Sequence, residues 1–272
     1  MVNVNVRPQA PSRLALPAIC LGYFMVILDA TAVSLSLPAL GRDVGGGVGA
    51  LQWVVDGYTL TFAALLLMAG SLGDRYGARR VFCAGLGLFV VASAACGLAP
   101  GVVTLVVARL VQGAAAAVLV PCSLALVRAA YDDPRARARA VGVWGGVAGI
   151  AAASGPVIGG VLTQAVSWRL VFFVNVPIGL AALLTARRHV PPAGGHGRPG
   201  FDLPAQVTAI VALGVLTFAL IEARTEGWAS PVILGGFVAA ALLVAAFTAV
   251  TRPTESSSKA RSPRSESAME TG

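Results

Sequence analysis

Eight apolar runs, each near the ~20 residues that carry a helix across a bilayer, constrain this chain more than any other feature. They cover 15–37, 51–72, 81–98, 102–127, 141–162, 168–186, 203–221 and 232–250. None alternates with period two, so helices are expected and membrane strands are not. Of the 272 residues, 12% are charged and 57% apolar. An average soluble domain carries about 25% charged residues, so too few polar groups remain here to cover a water-soluble globule. The mean hydropathy of +0.80 agrees. The expected fold class is all-α, a polytopic membrane protein of about eight transmembrane helices.

The formal net charge is +8, a balance that elsewhere points to nucleic acid. Here the basic residues stand between the apolar runs and mark topology instead, so no nucleic-acid partner is expected. Arg7, Arg13, Arg75, Arg79, Arg80, Arg128, Arg135, Arg137, Arg139, Arg187, Arg188, Arg198, Arg252, Lys259, Arg261 and Arg264 all fall on one side. The other side has only Arg42, Arg169 and Arg224, and Arg109 lies within a run. The excess of positive charge on cytoplasmic loops places both termini in the cytoplasm of a cell-membrane protein. Residues 1–14 read as a cytoplasmic N-terminus, not a signal peptide, because the run that follows exceeds an h-region of about 7–15 residues. Residues 187–202 read as a cytoplasmic loop. Residues 251–272, rich in Ser, Arg and Glu, read as a disordered cytoplasmic tail. Its abrupt start after the eighth run suggests a chain that stops early. Cys20, Cys83, Cys96 and Cys122 lie inside apolar runs with no CxxC spacing, so they are expected to be small hydrophobes; neither metal nor cofactor is expected.

Three ionisable residues lie within the runs: Asp29 in the first, Asp56 in the second and Arg109 in the fourth. Each costs roughly 2.5–3.5 kcal/mol on insertion scales. All three fall a few residues from the outer ends of their helices, at similar depth, where they are expected to line one polar cavity. Two readings stand for them. In one, Arg109 merely ties the bundle together through a carboxylate or carbonyl. In the other, the carboxylates load and release protons as their surroundings change. The fifth run is lined by Gly142, Gly145, Gly146, Gly149, Gly155, Gly159 and Gly160, with Pro156 among them. This pattern is expected to give close helix packing, with a bend at the proline. Gly113 to Ala117 should form a similar seam just inward of Arg109.

Several segments resemble signatures of the major facilitator superfamily. Gly70-Ser-Leu-Gly-Asp74-Arg75-Tyr-Gly77-Ala-Arg79-Arg80 is similar to its loop signature. Leu105-x-x-x-Arg109-x-x-Gln112-Gly113 resembles the fourth-helix signature, and Gly155-Pro156-x-x-Gly159-Gly160 the fifth-helix antiporter signature. Leu28-Asp29-x-Thr31 with Leu37-Pro38, Gln52-Trp53-x-x-Asp56-x-Tyr58-x-Leu60, and Trp168-Arg169-x-x-Phe172-Phe173-x-Asn175-x-Pro177-x-Gly179 resemble the fourteen-helix drug:proton antiporters. The loop signature falls on the side that charge alone makes cytoplasmic. Ala78, Ala151 and Ser34 depart from the usual residues at their positions in these motifs.

The resemblance implies an N-terminal six-helix transporter domain over 15–186. It also implies two additional helices over 203–250. Asp29 and Asp56 would serve proton coupling or contact with a cationic drug, and Arg109 the proton relay. Gly155 and Pro156 would set the bend and leak barrier, and Asp74 and Arg75 would belong to a cytoplasmic gate. The implied function is proton-coupled efflux of drugs or antibiotics by alternating access. Its partners would be protons, a lipophilic and cationic small molecule, and the lipid bilayer. The second six-helix half of that family is missing from the sequence. The chain is therefore expected to be a fragment or a half-transporter that pairs with a copy of itself or with a separate half; a uniporter and an inactive scaffold are the weaker alternatives. An intramembrane protease is disfavoured, because Asp56 lacks a GxGD context and both histidines, His189 and His196, lie in a loop.

Overall fold

The structure is a computed structural model describing residues 13–45, 47–191 and 203–251. The segments expected as N-terminus and tail, and most of the loop 187–202, lie outside the described residues, as do Arg7, Arg198, Arg252, Lys259, Arg261 and Arg264. The described residues form helices and no strands. In chain order these are α1 (Ala15–Val44), α2 (Val48–Tyr76), α3 (Ala78–Gly97), α4 (Val102–Ala130), α5 (Pro134–Ala165), α6 (Leu170–Phe173), α7 (Asn175–His189), α8 (Leu203–Glu226) and α9 (Pro231–Thr251).

Six stretches are long and apolar enough to cross a membrane: α1, α3, α4, α5, α6 continued by α7, and α9. A seventh is α2, taken as the bent pair Val48–Leu66 and Met68–Tyr76. The run at 203–221 is helical in α8, but among its described residues the apolar stretch is shorter, Ile210–Leu220. Pro204 and Gln206 occupy its first turns and Glu222, Arg224 and Glu226 its last. The sixth run is likewise not one unbroken helix, since Val174 separates α6 from α7.

Local chemistry sets several boundaries. Gly45 ends α1 at φ 68° and Gly77 separates α2 from α3 at φ 90°, a left-handed backbone that glycine adopts without steric cost. Pro134 opens α5, where no donor is lost, and Asp133 caps it by accepting from the Ala136 amide at 2.7 Å. Hydroxyls inside the helices bond back to their own turns: Thr31 to the Ile27 and Leu28 carbonyls, Ser36 to Val33, Ser71 to Met68. That spares each an unpaired donor in hydrocarbon.

The helices form two compact units, Met1–Phe201 and Asp202–Gly272. In the first, α4 packs against α2 and α3, α1 lies along α5 and α7, and α3 also contacts α7. Met25, Phe82, Leu86, Phe89, Leu119 and Leu126 fill one part of the core, and Val33, Leu40, Val54, Leu105, Trp168 and Phe172 another. The second unit is the pair α8 and α9, joined through Gly227 at φ 87°. In it Trp228 and Phe237 stack with centroids 6.4 Å apart, and Gly236 faces Ala219.

The glycine-rich α5 behaves differently from expectation. Only Gly155 and Gly159 make the close approach. A methyl group at Gly155 would collide with the Thr31 hydroxyl, and one at Gly159 would fall 2.6 Å from the Ala32 carbonyl oxygen. Gly142, Gly145, Gly146 and Gly149 are exposed, and a methyl group on any of them would have no neighbour within 4 Å, so they form no seam. The reason is angular: α1 meets α5 along one stripe, and these four glycines lie off it. On α4, Gly113 does make the expected seam, pressed against the Tyr58 carbonyl and Thr61 hydroxyl of α2. Thr61 fastens that approach with a 2.8 Å bond to the Leu110 carbonyl.

Candidate functional site

The largest fully buried side chain among the described residues is a charged one, Arg109 at 1% exposure. It sits on α4, and its partner Asp29 on α1 is 0% exposed. Arg109 Nη1 donates to Asp29 Oδ2 at 2.5 Å and to Gln112 Oε1 at 2.9 Å. Arg109 Nε donates to the Val54 carbonyl of α2 at 2.9 Å. The guanidinium carbon stands 4.2 Å from the centre of the Tyr58 ring and 5.9 Å from that of Phe172, a cation–π arrangement that gains strength when water is excluded.

A shell of neutral polar groups completes the cluster. Asp29 Oδ1 accepts from Gln112 Nε2 at 3.0 Å and from Asn175 Nδ2 at 2.7 Å. Ser93 Oγ on α3 accepts from the same two amides, at 2.7 and 3.3 Å. The Cys96 thiol faces Gln112 Oε1 at 3.6 Å. Gln112, Ser93 and Asn175 are each 0% exposed. Six elements therefore contribute to the site, α1 through Asp29, α2 through Val54 and Tyr58, α3 through Ser93 and Cys96, α4 through Arg109 and Gln112, α6 through Phe172 and α7 through Asn175. The shell is what makes the charges tolerable. A buried pair repays its lost hydration only when further hydrogen bonds satisfy the remaining lone pairs and protons. Every bond to Asp29 is a donor aimed at a carboxylate, so the arrangement suits the ionised acid.

The sequence expectation of one cavity shared by Asp29, Asp56 and Arg109 is corrected here. Asp29 and Arg109 are sealed in protein rather than lining open space, and Asp56 is only half-buried. On a helix with 3.6 residues per turn, two positions of offset turn a side chain by about 200°. Val54 and Tyr58 face α4, so Asp56, midway between them, faces away. The sequence reading assigned no role to Ser93, Tyr58 or Asn175. Ser93 and Asn175 are hydrogen-bonding side chains standing almost alone in apolar runs, which is the signal that could have found them; Tyr58, among Asp56, Thr59 and Thr61, carries no such signal.

The remaining motif residues form separate groups. Gly70 is half-buried on α2, Asp74 and Arg75 are exposed near its end, and Gly77 makes the turn into α3. Arg75 lies over the Tyr76 ring at 5.5 Å. Arg79 donates to the Arg187 carbonyl at the end of α7, while Arg80 is exposed. Pro156 is exposed, and Gly160 lies 3.9 Å, measured from its would-be methyl, from Leu35. At the opposite ends of these helices, Arg169 forms an ion pair with Asp43 and donates to the Ala99 carbonyl at 3.2 Å. Trp168 Nε1 also donates to Asp43, at 2.9 Å. Among the described residues, no three His, Cys, Asp or Glu side chains are grouped to hold a metal.

The family model described as Major Facilitator Superfamily matches residues 19–256. The chain belongs to the Major Facilitator Superfamily. It is thus a multi-pass membrane protein of a transporter family and not an enzyme. It is 42% identical over 229 residues to the methylenomycin A resistance protein of Bacillus subtilis (strain 168), covering 84% of this chain and 49% of that protein. It is 41% identical over 232 residues to the tetracenomycin C resistance and export protein of Streptomyces glaucescens, covering 85% and 43%. The multidrug resistance protein Stp of Mycobacterium tuberculosis (strain CDC 1551 / Oshkosh) shares 42% identity over 217 residues, 80% and 40% of the two chains. This superfamily member therefore spans about half the length of the curated relatives it matches. Among solved structures, the peptide transporter POT in complex with sulfate superposes with TM-score 0.62 at 16% identity, over 87% of this chain and 51% of that one. That likeness shows the fold.

Proposed function

We propose that this chain is the N-terminal six-helix part (15–186), with two additional helices (203–250), of a proton-coupled exporter of lipophilic drugs or antibiotics in the cell membrane. Both termini would face the cytoplasm, as the basic loops require. The observation that carries the proton coupling is the Asp29–Arg109 pair, fully buried and ringed by the Gln112 and Asn175 amides. Protonating Asp29 removes the charge that Arg109 pairs with, leaving the guanidinium with Gln112 Oε1, the Val54 carbonyl and two aromatic faces. The network then loses its strongest bond between α1 and α4. A proton thereby becomes a change in helix packing, which is what coupling to alternating access needs.

The names of the relatives support the drug class, since three of them are resistance or export proteins for antibiotics or multiple drugs. Asp56, half-buried and turned away from Arg109, is assigned contact with a cationic substrate. Asp74, Arg75, Arg79 and Arg80, with Gly70 and Gly77 shaping the turn, are assigned to a cytoplasmic gate. Gly155 and Gly159 are assigned to the α1–α5 seam that must stay closed to proton leak, with Pro156 and Gly160 of the same motif beside it. Rocking requires an opposing six-helix body, so the assay belongs in the native host. There, everted vesicles should show dye efflux driven by a proton gradient, lost in Asp29→Asn with the protein still present in the membrane. Undiminished proton-driven efflux by Asp29→Asn refutes the role of Asp29.

A further inference from the structure

One atom of the buried network is unaccounted for. Asn175 is 0% exposed, and its Nδ2 donates to Asp29 and Ser93, yet its Oδ1 has no hydrogen-bond partner. The amide orientation itself is dictated by chemistry, because a carboxylate only accepts and the NH2 end must face it. The opposite end of the amide is then held by nothing. Gln112 is the contrast: both its ends are engaged, Oε1 by Arg109 and Nε2 by Asp29 and Ser93, so it cannot turn without breaking bonds at both.

We propose that Asn175 is a positioning residue that turns its side-chain amide when Asp29 takes up a proton, donating to the carboxylate and accepting from the carboxylic acid. Turning the amide about its last rotatable bond puts Oδ1 where Nδ2 now stands, within hydrogen-bond reach of both Asp29 Oδ1 and Ser93 Oγ. From there it accepts the new Asp29 O–H and the Ser93 O–H. No other hydrogen bond breaks, because the far end has none to lose. Asn175 thus lets one cavity hold both the ion and the acid, the turned NH2 taking the place that Oδ1 now occupies. It is also the first residue of α7, directly after the Val174 interruption, so the turn occurs where the sixth span is already broken.

The titratable or charged groups facing Asp29 are few. Arg109 comes from α4, the Tyr58 hydroxyl from α2 and the Cys96 thiol from α3. α6 presents Phe172, and α5 meets α1 here through Gly155 and Gly159, its own charges Arg135, Arg137 and Arg139 lying in its first turns. Tyr58 donates to the Val26 carbonyl at 3.4 Å and the Cys96 thiol to Gln112, so neither proton competes for the Asn175 oxygen.

This proposal rests on the reading of Asp29 as the proton site, and its test separates the two. The sequence contains three asparagines, Asn3, Asn5 and Asn175, so carbon-13 in the asparagine side chain marks Asn175 with only two others. Infrared difference spectra are recorded against pH on the purified protein in lipid nanodiscs. They are repeated in Arg109→Gln, where the carboxyl no longer faces a fixed cation. Asn175→Leu assigns the labelled carbonyl band and Asp29→Leu the carboxyl band. The expected result is a carbonyl band that moves to lower frequency as the carboxyl band appears, with the same midpoint, and stays fixed in Asp29→Leu. A titrating carboxyl band beside a stationary Asn175 band overturns the turning amide and leaves the proton site standing. Absence of the carboxyl band at every pH, in both the parent and Arg109→Gln, overturns both.

Discussion

Removing one charge of the buried pair should cost far more than half of what removing both costs. In Arg109→Gln, Asp29 keeps two amide donors but loses the 2.5 Å bond to its counter-ion, with no water to replace it. Breaking a buried pair from one side costs about 3–5 kcal/mol. In Asp29→Asn the guanidinium retains the Gln112 and Val54 oxygens and the Tyr58 ring, so the loss should fall at the lower end, about 3 kcal/mol. The double variant Asp29→Asn/Arg109→Gln leaves four amides and a hydroxyl able to bond among themselves. Its loss should be smaller than the sum of the two singles by about 2–3 kcal/mol, within the range for residues sharing one network. The assay is reversible unfolding in mixed micelles by titration with a denaturing detergent, with all four proteins compared at one pH. Losses that add to within ~0.5 kcal/mol would falsify the claim that the two charges act as one unit.

Other consequences of the geometry are independent of that pair. Gly159→Ala places a methyl group against α1 backbone, 2.6 Å from the Ala32 carbonyl oxygen, and should destabilise by about 1–3 kcal/mol. Gly149→Ala, with nothing in its way on the same helix, should instead stabilise by about 0.5–1 kcal/mol; a thermal melt of the two side by side separates these signs. Trp168 is 3% exposed and packs edge-on against Phe172, so Trp168→Ala should cost about 3–5 kcal/mol, whereas Asp43→Asn, which alters only an exposed partner, should leave the melting midpoint nearly unchanged. Cys20, Cys83, Cys96 and Cys122 are all buried free thiols, and a maleimide added to the folded protein in micelles should label none of them until the protein unfolds; prompt labelling of Cys96 would contradict a dry site.

Much of this architecture is written in one dimension. Runs of about 20 apolar residues leave the backbone no choice but to satisfy its own hydrogen bonds, so helices followed from hydropathy alone. Gly77 and Asp133 marked boundaries because a left-handed turn and an N-cap need particular residue types. Asp29 and Arg109 stood out because a charge in hydrocarbon demands a partner. Other features were not legible. The glycines of α5 look alike in sequence, yet a methyl group at Gly155 or Gly159 would meet α1 while one at Gly142, Gly145, Gly146 or Gly149 would meet nothing within 4 Å, because a run of small residues does not say which face of the helix a neighbour will take.

Sequence alone determined that this chain crosses a membrane as helices, that it belongs with the facilitator family, and which few polar side chains must be explained. Which of those side chains meet was decided only in three dimensions. Asp56 looks equivalent to Asp29 on paper, but more than half a turn of helix separates it from the face of α2 that reaches Arg109. Ser93 and Asn175 lie far from each other along the chain, on either side of Gln112, and only the packing of α3, α4 and α7 brings their hydrogen bonds onto the same carboxylate and its neighbours. Hydropathy and motif act along the chain, whereas a buried charge is stabilised by whatever the fold sets beside it, and that depends on angles and contacts no linear pattern carries.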